Sequence, residues 1–402
     1  MRVLLACLLI FGAVQSGMAA RYKMTYTVQI QAQSKTADVR WKLESGSGKV
    51  RELAVRLPAS RFSEIRADGT FSHIGDRYLW LPPASGGTLR YQVKLDYPRR
   101  DRSFRGLITP TWAIFRGDHI FPAANVKAQG SSKSSLVWQL PKGWTVETPY
   151  NRDSRNHMRF EVKDAERRFD RPVGWMAIGN LGTRREDISG IDISATAPVG
   201  QGMRRQDMLA FLNYTLPEMR RAFATPRDKI LIVSGPDPLF RGGLSAPGSL
   251  FIHLDRPMIS ENGTSPVLHE LTHTMTRIRG EARADWIAEG LAEFYGIEIL
   301  RRTGGLSEQR YEQVRDWLKS WSSKVKHLKV PRSRGETTAR AVVLLQDLDT
   351  EIRNAKGVPR NLDDVTRRLV KLRKISNVEF LTAVEEVLGR PSKVLQTPLL
   401  AN

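Results

Sequence analysis

From Tyr22 to about residue 198, apolar and polar positions alternate with a period of two. Met24-Thr25-Tyr26-Thr27-Val28-Gln29-Ile30, Leu89-Arg90-Tyr91-Gln92-Val93-Lys94-Leu95 and Ile191-Asp192-Ile193-Ser194-Ala195 each put their apolar side chains on one face. That is the pattern of half-buried strands. Clusters such as Pro82-Pro83-Ala84-Ser85-Gly86-Gly87 separate the runs and mark turns. Many short strands at this spacing predict a β-sandwich-like region over 21–203, with room for a second small module beginning near Phe115. Trp80, Trp112, Trp138, Trp144 and Trp175 fall in this region, and core packing is the first use expected of each.

After Gly202 the period lengthens. Asp207 to Phe223 has helical spacing, with a kink or break expected at Pro217. Lys229-Ile230-Leu231-Ile232-Val233 and Ser249-Leu250-Phe251-Ile252-His253-Leu254 predict strands around a glycine- and proline-rich loop, 235–248. Ser265-Pro266 is a cap followed by proline, a favoured helix opening. The helix it opens is expected to reach about Ile278 and to be closed by Gly280. A second helix is predicted from about Ala282 to Leu300, and the chain from Glu308 onward is predicted to be almost wholly helical. These periods divide the chain into four parts: an N-terminal segment 1–20, the β-rich region 21–203, a mixed domain 204–302 and a helical region 303–402. The class is α+β and multidomain.

Composition narrows the setting. The first residues carry one positive charge at Arg2, an apolar run from Val3 to Val14, and small residues at Ser16, Gly17, Ala19 and Ala20. That is the layout of a secretory signal peptide cleaved near Ala19 or Ala20, and it predicts a periplasmic destination. The single cysteine, Cys7, would leave with it. A mature chain without thiols forms no disulfide, and any metal it holds must be held by histidines and carboxylates. The formal charge is +21, spread along the chain rather than gathered in one block, as Arg99, Arg100 and Arg102 and then Arg167, Arg168 and Arg171 illustrate. A solvated basic surface is the first reading, and weak contact with an anionic envelope surface the second. For an exported protein, nucleic acid is not an expected partner.

One motif carries chemistry. In His269-Glu270-Leu271-Thr272-His273 the two histidines are four apart, so a helix presents both imidazoles to one ion. Glu289 follows His273 by sixteen residues, inside the apolar-rich segment Trp286-Ile287-Ala288-Glu289-Gly290-Leu291-Ala292. Three protein ligands leave a fourth zinc position for water, the arrangement of a catalytic site. Glu270 then stands as general base toward that water. Glu293, one turn beyond Glu289, is either the carboxylate that orients a ligating histidine or a helix-surface charge.

His269–Tyr295 resembles the gluzincin metallopeptidases, in which His-Glu-x-x-His and a Glu on the next helix bind one zinc ion. Trp286-x-x-Glu289-Gly290-x-Ala292 looks like the third-ligand helix of the aminopeptidase N family. Leu345-Gln346-Asp347-Leu348-Asp349-Thr350-Glu351-Ile352-Arg353 and Asn361-Leu362-Asp363-Asp364-Val365 are similar to the C-terminal helices of the glycyl aminopeptidase family. Phe240-Arg241-Gly242-Gly243-Leu244 resembles its Gly-Gly-Leu motif, which implies substrate-binding roles for Gly242, Gly243 and Leu244. The resemblance covers about 205–390 and implies a thermolysin-like zinc peptidase domain acting on a peptide or protein, with Ser249–Leu254 joining the Gly242-Gly243 loop in pairing with an extended peptide. Three features depart from those families. Ser245-Ala246 stands where a Glu meets the substrate amine. Thr337-Thr338-Ala339-Arg340 stands where a tyrosine steadies the oxyanion. The interval from His273 to Glu289 is shorter than in aminopeptidase N relatives. Tyr295 and Tyr311 are alternative donors, although helix packing is the first role expected of each. The function expected is an exported zinc-dependent metallopeptidase. The alternatives left open are a catalytically weak zinc-binding scaffold of the envelope and a zinc hydrolase of a non-peptide amide.

Overall fold

The structure is a computed structural model that describes residues 20–163, 169–225, 228–357 and 359–401. The expected signal segment up to Ala19, with Cys7, lies outside these residues, as do Arg167 and Arg168. No helix among the described residues is long and apolar enough to cross a membrane.

The alternation in the N-terminal half becomes three sheets. In the largest, seven strands run in the order Asn151–Arg152, Arg159–Val162, Ser131–Gln139, Arg21–Gln31, Thr36–Glu44, Gly86–Lys94 and Phe62–Ala67. Its central strand buries Tyr22, Met24, Tyr26, Val28 and Ile30 on one face, as a period of two requires. A four-stranded sheet (Ala124–Gln129, Lys49–Arg56, Arg77–Leu81, Thr70–Ile74) and a five-stranded one (Thr145–Glu147, Trp175–Gly179, Trp112–Arg116, Phe104–Ile108, Tyr97–Pro98) complete the unit. Trp80 and Trp138 are buried in one core with Trp144 at its edge, and Trp112 and Trp175 are buried in a second. The expected module boundary near Phe115 is not where the chain divides. Ser131–Gln139 pairs in parallel with the first strand, Leu136 opposite Tyr26, and one core holds residues from Tyr22 to Ile178.

The next sheet has the strand order Leu181–Ile188, Ile191–Pro198, Lys229–Gly235, Ser249–His253, Gly243–Ala246. Its three middle strands are parallel to one another and its two outer strands antiparallel. Lys229–Gly235 is buried at every position after the first, because helices cover one of its faces and the five-stranded sheet covers the other. The sheet therefore starts about twenty residues before the boundary expected at 203/204. Alternation identifies a strand but not the sheet it joins.

The helices are α1 (Gly117–Ile120), α2 (Arg205–Phe223), α3 (Pro266–Thr276), α4 (Asp285–Arg302), α5 (Glu308–Trp321), α6 (Glu336–Arg353), α7 (Leu362–Leu372) and α8 (Asn377–Leu388). Helix α2 runs through Pro217 without a break. The stripe Leu209, Leu212, Leu216, Met219 and Phe223 is buried on both sides of the proline, and this packing outweighs the one lost hydrogen bond. Between α5 and α6, residues 322–335 are not helical, so the C-terminal part is less continuous than its composition predicts. One core extends from Ile188 to Leu399 and joins the helices after 303 to those before it. The closest helix crossing is at Gly290, where a Cβ would lie 2.9 Å from that of Ala341. Gly290 thus seats α6 against the helix that carries Glu289. Farther along α4, buried Glu298 pairs with Arg301 and Arg302, and Arg302 reaches Asp363 of α7 at 2.8 Å. Breaking such a buried pair leaves an uncompensated charge.

Candidate metal centre

Helix α3 begins where Ser265 accepts the Leu268 N–H at 3.2 Å and donates to the Met258 carbonyl at 2.6 Å, with Pro266 in the first turn. It ends earlier than the sequence predicts. Arg277 takes a left-handed conformation (φ 55°) at the C-cap, and Gly280 instead pairs with Ile375 in a two-residue bridge. Helix α4 likewise begins and ends a few residues later than expected. The shifts leave the motif intact, because the four chemical residues lie inside their helices.

The Nε2 atoms of His269 and His273 are 3.2 Å apart. Glu289 of α4 brings Oε2 to 3.6 Å from the first and Oε1 to 3.5 Å from the second. Zinc bonds of about 2.0–2.1 Å in tetrahedral geometry separate neighbouring ligand atoms by about 3.3–3.5 Å. The two imidazole nitrogens stand near that separation and one Glu289 oxygen faces each of them, a donor set that zinc fits. His269 Nδ1 meets Glu293 Oε2 at 2.8 Å, which fixes the tautomer that leaves Nε2 free for a metal. Glu293 is thus an orienting partner and not an idle surface charge.

Electrostatics point the same way. Burial opposes charge on His269, but hydrogen bonds to Glu289 and Glu293 and the nearby Glu270 charge outweigh it and hold the ring's pKa well above its usual value. Burial likewise opposes ionisation of Glu289, and the two histidines more than reverse that effect. The cavity favours positive charge between its donors, which a divalent cation would supply in place of protons. Glu293→Gln is expected to keep the fold and weaken zinc binding about 10–100-fold, measured by competition with a chelator. Unchanged affinity would return Glu293 to the helix surface.

Glu270 lies against the strand Gly243–Ala246. A Cβ on Gly243 would lie 2.6 Å from Glu270 Cγ and 2.8 Å from its Oε1, so only glycine leaves room for that carboxylate. This strand is the free edge of its sheet. Ser249–Leu254, expected to help pair with a peptide, does not: Ser249–His253 is hydrogen-bonded on both sides and has no free edge. Gly242 and Leu244 are also turned away from the open side. Gly242 accepts the His253 N–H at 3.0 Å and donates its own to Phe240. The Leu244 carbonyl accepts Trp175 Nε1 at 2.8 Å. Ladder alternation then directs the N–H and C=O of Gly243 and Ser245 outward. Ser245 shares its side of the strand with Gly243 and so faces α3.

Tyr295 and Tyr311 are both engaged in packing. Buried Tyr295 donates toward Asp363 and Thr366 on α7. The Tyr311 hydroxyl accepts from Gln346 at 3.3 Å, and its ring lies under Arg301. Thr337–Arg340 form the first turn of α6, where Thr338 pairs with Ser333.

A second histidine–carboxylate group went unread in the sequence because its members are separated along the chain. Buried His253 has Asp237 3.4 Å from Nε2 and Asp255 3.8 Å from Nδ1. The carboxylates face opposite ring nitrogens, the Asp255 N–H points at Nδ1, and Arg241 covers both oxygens of Asp237. The group's one firm ion pair is that of Arg241 with Asp237, and the two carboxylates do not converge on one ring nitrogen.

No family profile matches the sequence, and no curated protein is similar to it in sequence. Solved structures are similar in fold. An aminopeptidase N family protein from Idiomarina loihiensis superposes with a TM-score of 0.69 at 14% identity, over 93% of this chain and 78% of that one. Two structures of leukotriene A4 hydrolase from Saccharomyces cerevisiae match at 14% identity with TM-scores of 0.56 and 0.57. They match over 92% and 94% of this chain, which spans 64% and 66% of theirs, just under two thirds. The likeness first visible around two histidines and a glutamate thus extends along nearly the whole molecule, which shares its fold with an aminopeptidase N family protein and with leukotriene A4 hydrolase.

Proposed function

We propose that the protein is an exported zinc metallopeptidase of gluzincin type with a thermolysin-like catalytic unit. The observation that carries this reading is the spacing of 3.2–3.6 Å among His269, His273 and Glu289, next to a general base that borders a free strand edge. The fold likeness and the N-terminal layout of Arg2, an apolar run and small residues support it.

His269, His273 and Glu289 would hold the ion, which when bound polarises the scissile carbonyl and acidifies a water. An extended peptide adds to the sheet through the outward N–H and C=O groups of Gly243 and Ser245, which brings its backbone past Glu270. Glu270 takes the proton of the attacking water and returns it to the departing amine. Glu293 keeps the His269 ring in register throughout. Ser245 carries no charge to meet a free amine, and this favours cuts inside a chain over trimming from its amino end. Among the alternatives, a zinc-binding scaffold with weak turnover draws support from the engagement of Tyr295 and Tyr311 elsewhere.

Incubating the full chain with a mixed peptide library, and mapping products by mass spectrometry, separates these readings. Internal cuts are expected, lost on chelation and restored by one equivalent of zinc. A protein that binds no zinc sinks every metalloenzyme reading, and one that binds zinc without cleaving supports the scaffold. Release of single amino-terminal residues would overturn the assignment made to Ser245.

A further inference from the structure

The approach to the free strand edge is crowded with guanidinium groups, although basic residues are spread along the chain as a whole. The loop feeding the edge strand is clasped by the hairpin around Arg99 and Arg105: Phe104 donates to the Pro238 carbonyl at 2.9 Å, and Phe240 to that of Phe104 at 3.2 Å. Arg99 lies over the Phe240 ring, 4.2 Å from its centroid, and that ring packs against Gly242. Arg256 donates to the Arg241 carbonyl from Nη2 at 2.7 Å and from Nε at 3.1 Å. This plants its charge at the bend that leads into the strand, two residues before Gly243.

The arginines here differ in what balances them. Arg241 is bound at both carboxylate oxygens of Asp237, and Arg99 pairs with Asp101. Arg256 is exposed and forms no ion pair with any described residue. Its guanidinium is held in place by a neutral carbonyl while its charge and its Nη1 hydrogens stay available. A fixed, unbalanced guanidinium beside a peptide-binding edge matches a carboxylate in geometry and in sign.

We infer that Arg256 is a specificity-determining residue: it recognises a peptide carboxylate two or three residues from the bond that lies over Glu270. This rests on the peptidase reading for the direction of the peptide, and on the arginine geometry for the carboxylate. The carboxylate belongs either to an acidic side chain or to the peptide's own C-terminus.

Peptides with one cleavable core test the inference. They carry Glu or Gln at each of the three positions on either side of the cut, with free or amidated C-termini. The zinc-loaded full chain is expected to favour the carboxylate by about fivefold in kcat/KM at one side only, and added salt should shrink the ratio. Loss of the preference on amidation assigns it to the C-terminus, and persistence assigns it to the side chain. Arg256→Gln is expected to bring the ratio close to one, and Arg256→Lys to keep part of it. A preference unchanged in Arg256→Gln, or absent from the wild type, overturns the inference. If no peptide is cut, fluorescence anisotropy of labelled peptides on the Glu270→Gln protein reads the same ratio. Discrimination there upholds the role of Arg256 while the peptidase reading falls, and binding without discrimination removes the role itself.

Discussion

Glu270→Gln is expected to bind one zinc ion with the affinity of the wild type and to cleave peptides about 10²–10⁴-fold more slowly. Glutamine matches glutamate in size, so it fits the space that Gly243 leaves beside α3, and none of the three metal donors is touched. What it lacks is a group that accepts a proton at neutral pH. The deficit should therefore fall on kcat, with KM little changed, since the amide still contacts the same strand edge. Metal analysis, circular dichroism and steady-state kinetics on one preparation decide the matter. Full turnover in a zinc-loaded, folded variant would remove Glu270 from the mechanism and leave the metal centre without its base.

Gly243→Ala should lower turnover by about 10²-fold while leaving stability and zinc content near wild type. The added methyl would stand 2.6 Å from Glu270 Cγ, closer than such atoms approach. The obstructing atoms belong to the flexible Glu270 side chain and not to backbone, so the strain is relieved by moving the carboxylate away from its working position. Alanine in a strand otherwise stabilises slightly relative to glycine, by about 0.5–1 kcal/mol, so a large fall in melting temperature is not expected. A double-mutant comparison isolates the cause. If Gly243→Ala acts through Glu270, it should cost little more in a Glu270→Gln background. Fully additive losses would show that residue 243 acts on the peptide directly and not on the base.

The histidine pair was legible because it is local. His269 and His273 are one helical turn apart, the cap at Ser265-Pro266 announces their helix, and Glu289 stands on the next one. The first two depend on spacing along a single element, which the backbone period makes readable. Of the two segments expected to meet a peptide, only Gly243–Ala246 has an open side. Gly243–Ala246 and Ser249–His253 have similar apolar character, and only the pairing of the second with Lys229–Gly235 shows which of the two has an open side. The backbone groups of Gly242 and Leu244 are engaged with the neighbouring strand, with Phe240 and with Trp175, for a related reason. Backbone direction alternates along a ladder, and its phase is set by the partner strand.

Domain limits show the same division. Alternation found the strands from 181 to 198 as strands, but the parallel pairing of Ile191–Pro198 with Lys229–Gly235 puts them in the sheet that carries the Gly243–Ala246 edge. Helical period found α5 to α8 without revealing that they share a core with α3 and α4, because an apolar stripe does not name the surface that covers it.

By itself, then, the sequence determined that His269 and His273 share one helix face, since side chains three or four apart on a helix meet whatever surrounds it. It also determined that beyond Cys7 the chain offers a metal only histidines and carboxylates and no thiol. Only the tertiary structure decided that Glu289 closes on the two histidines, that Glu293 orients the first of them, which strand is free, and that Arg256 stands unbalanced beside it. Those are contacts between residues distant along the chain, and their geometry follows from packing rather than from any local preference.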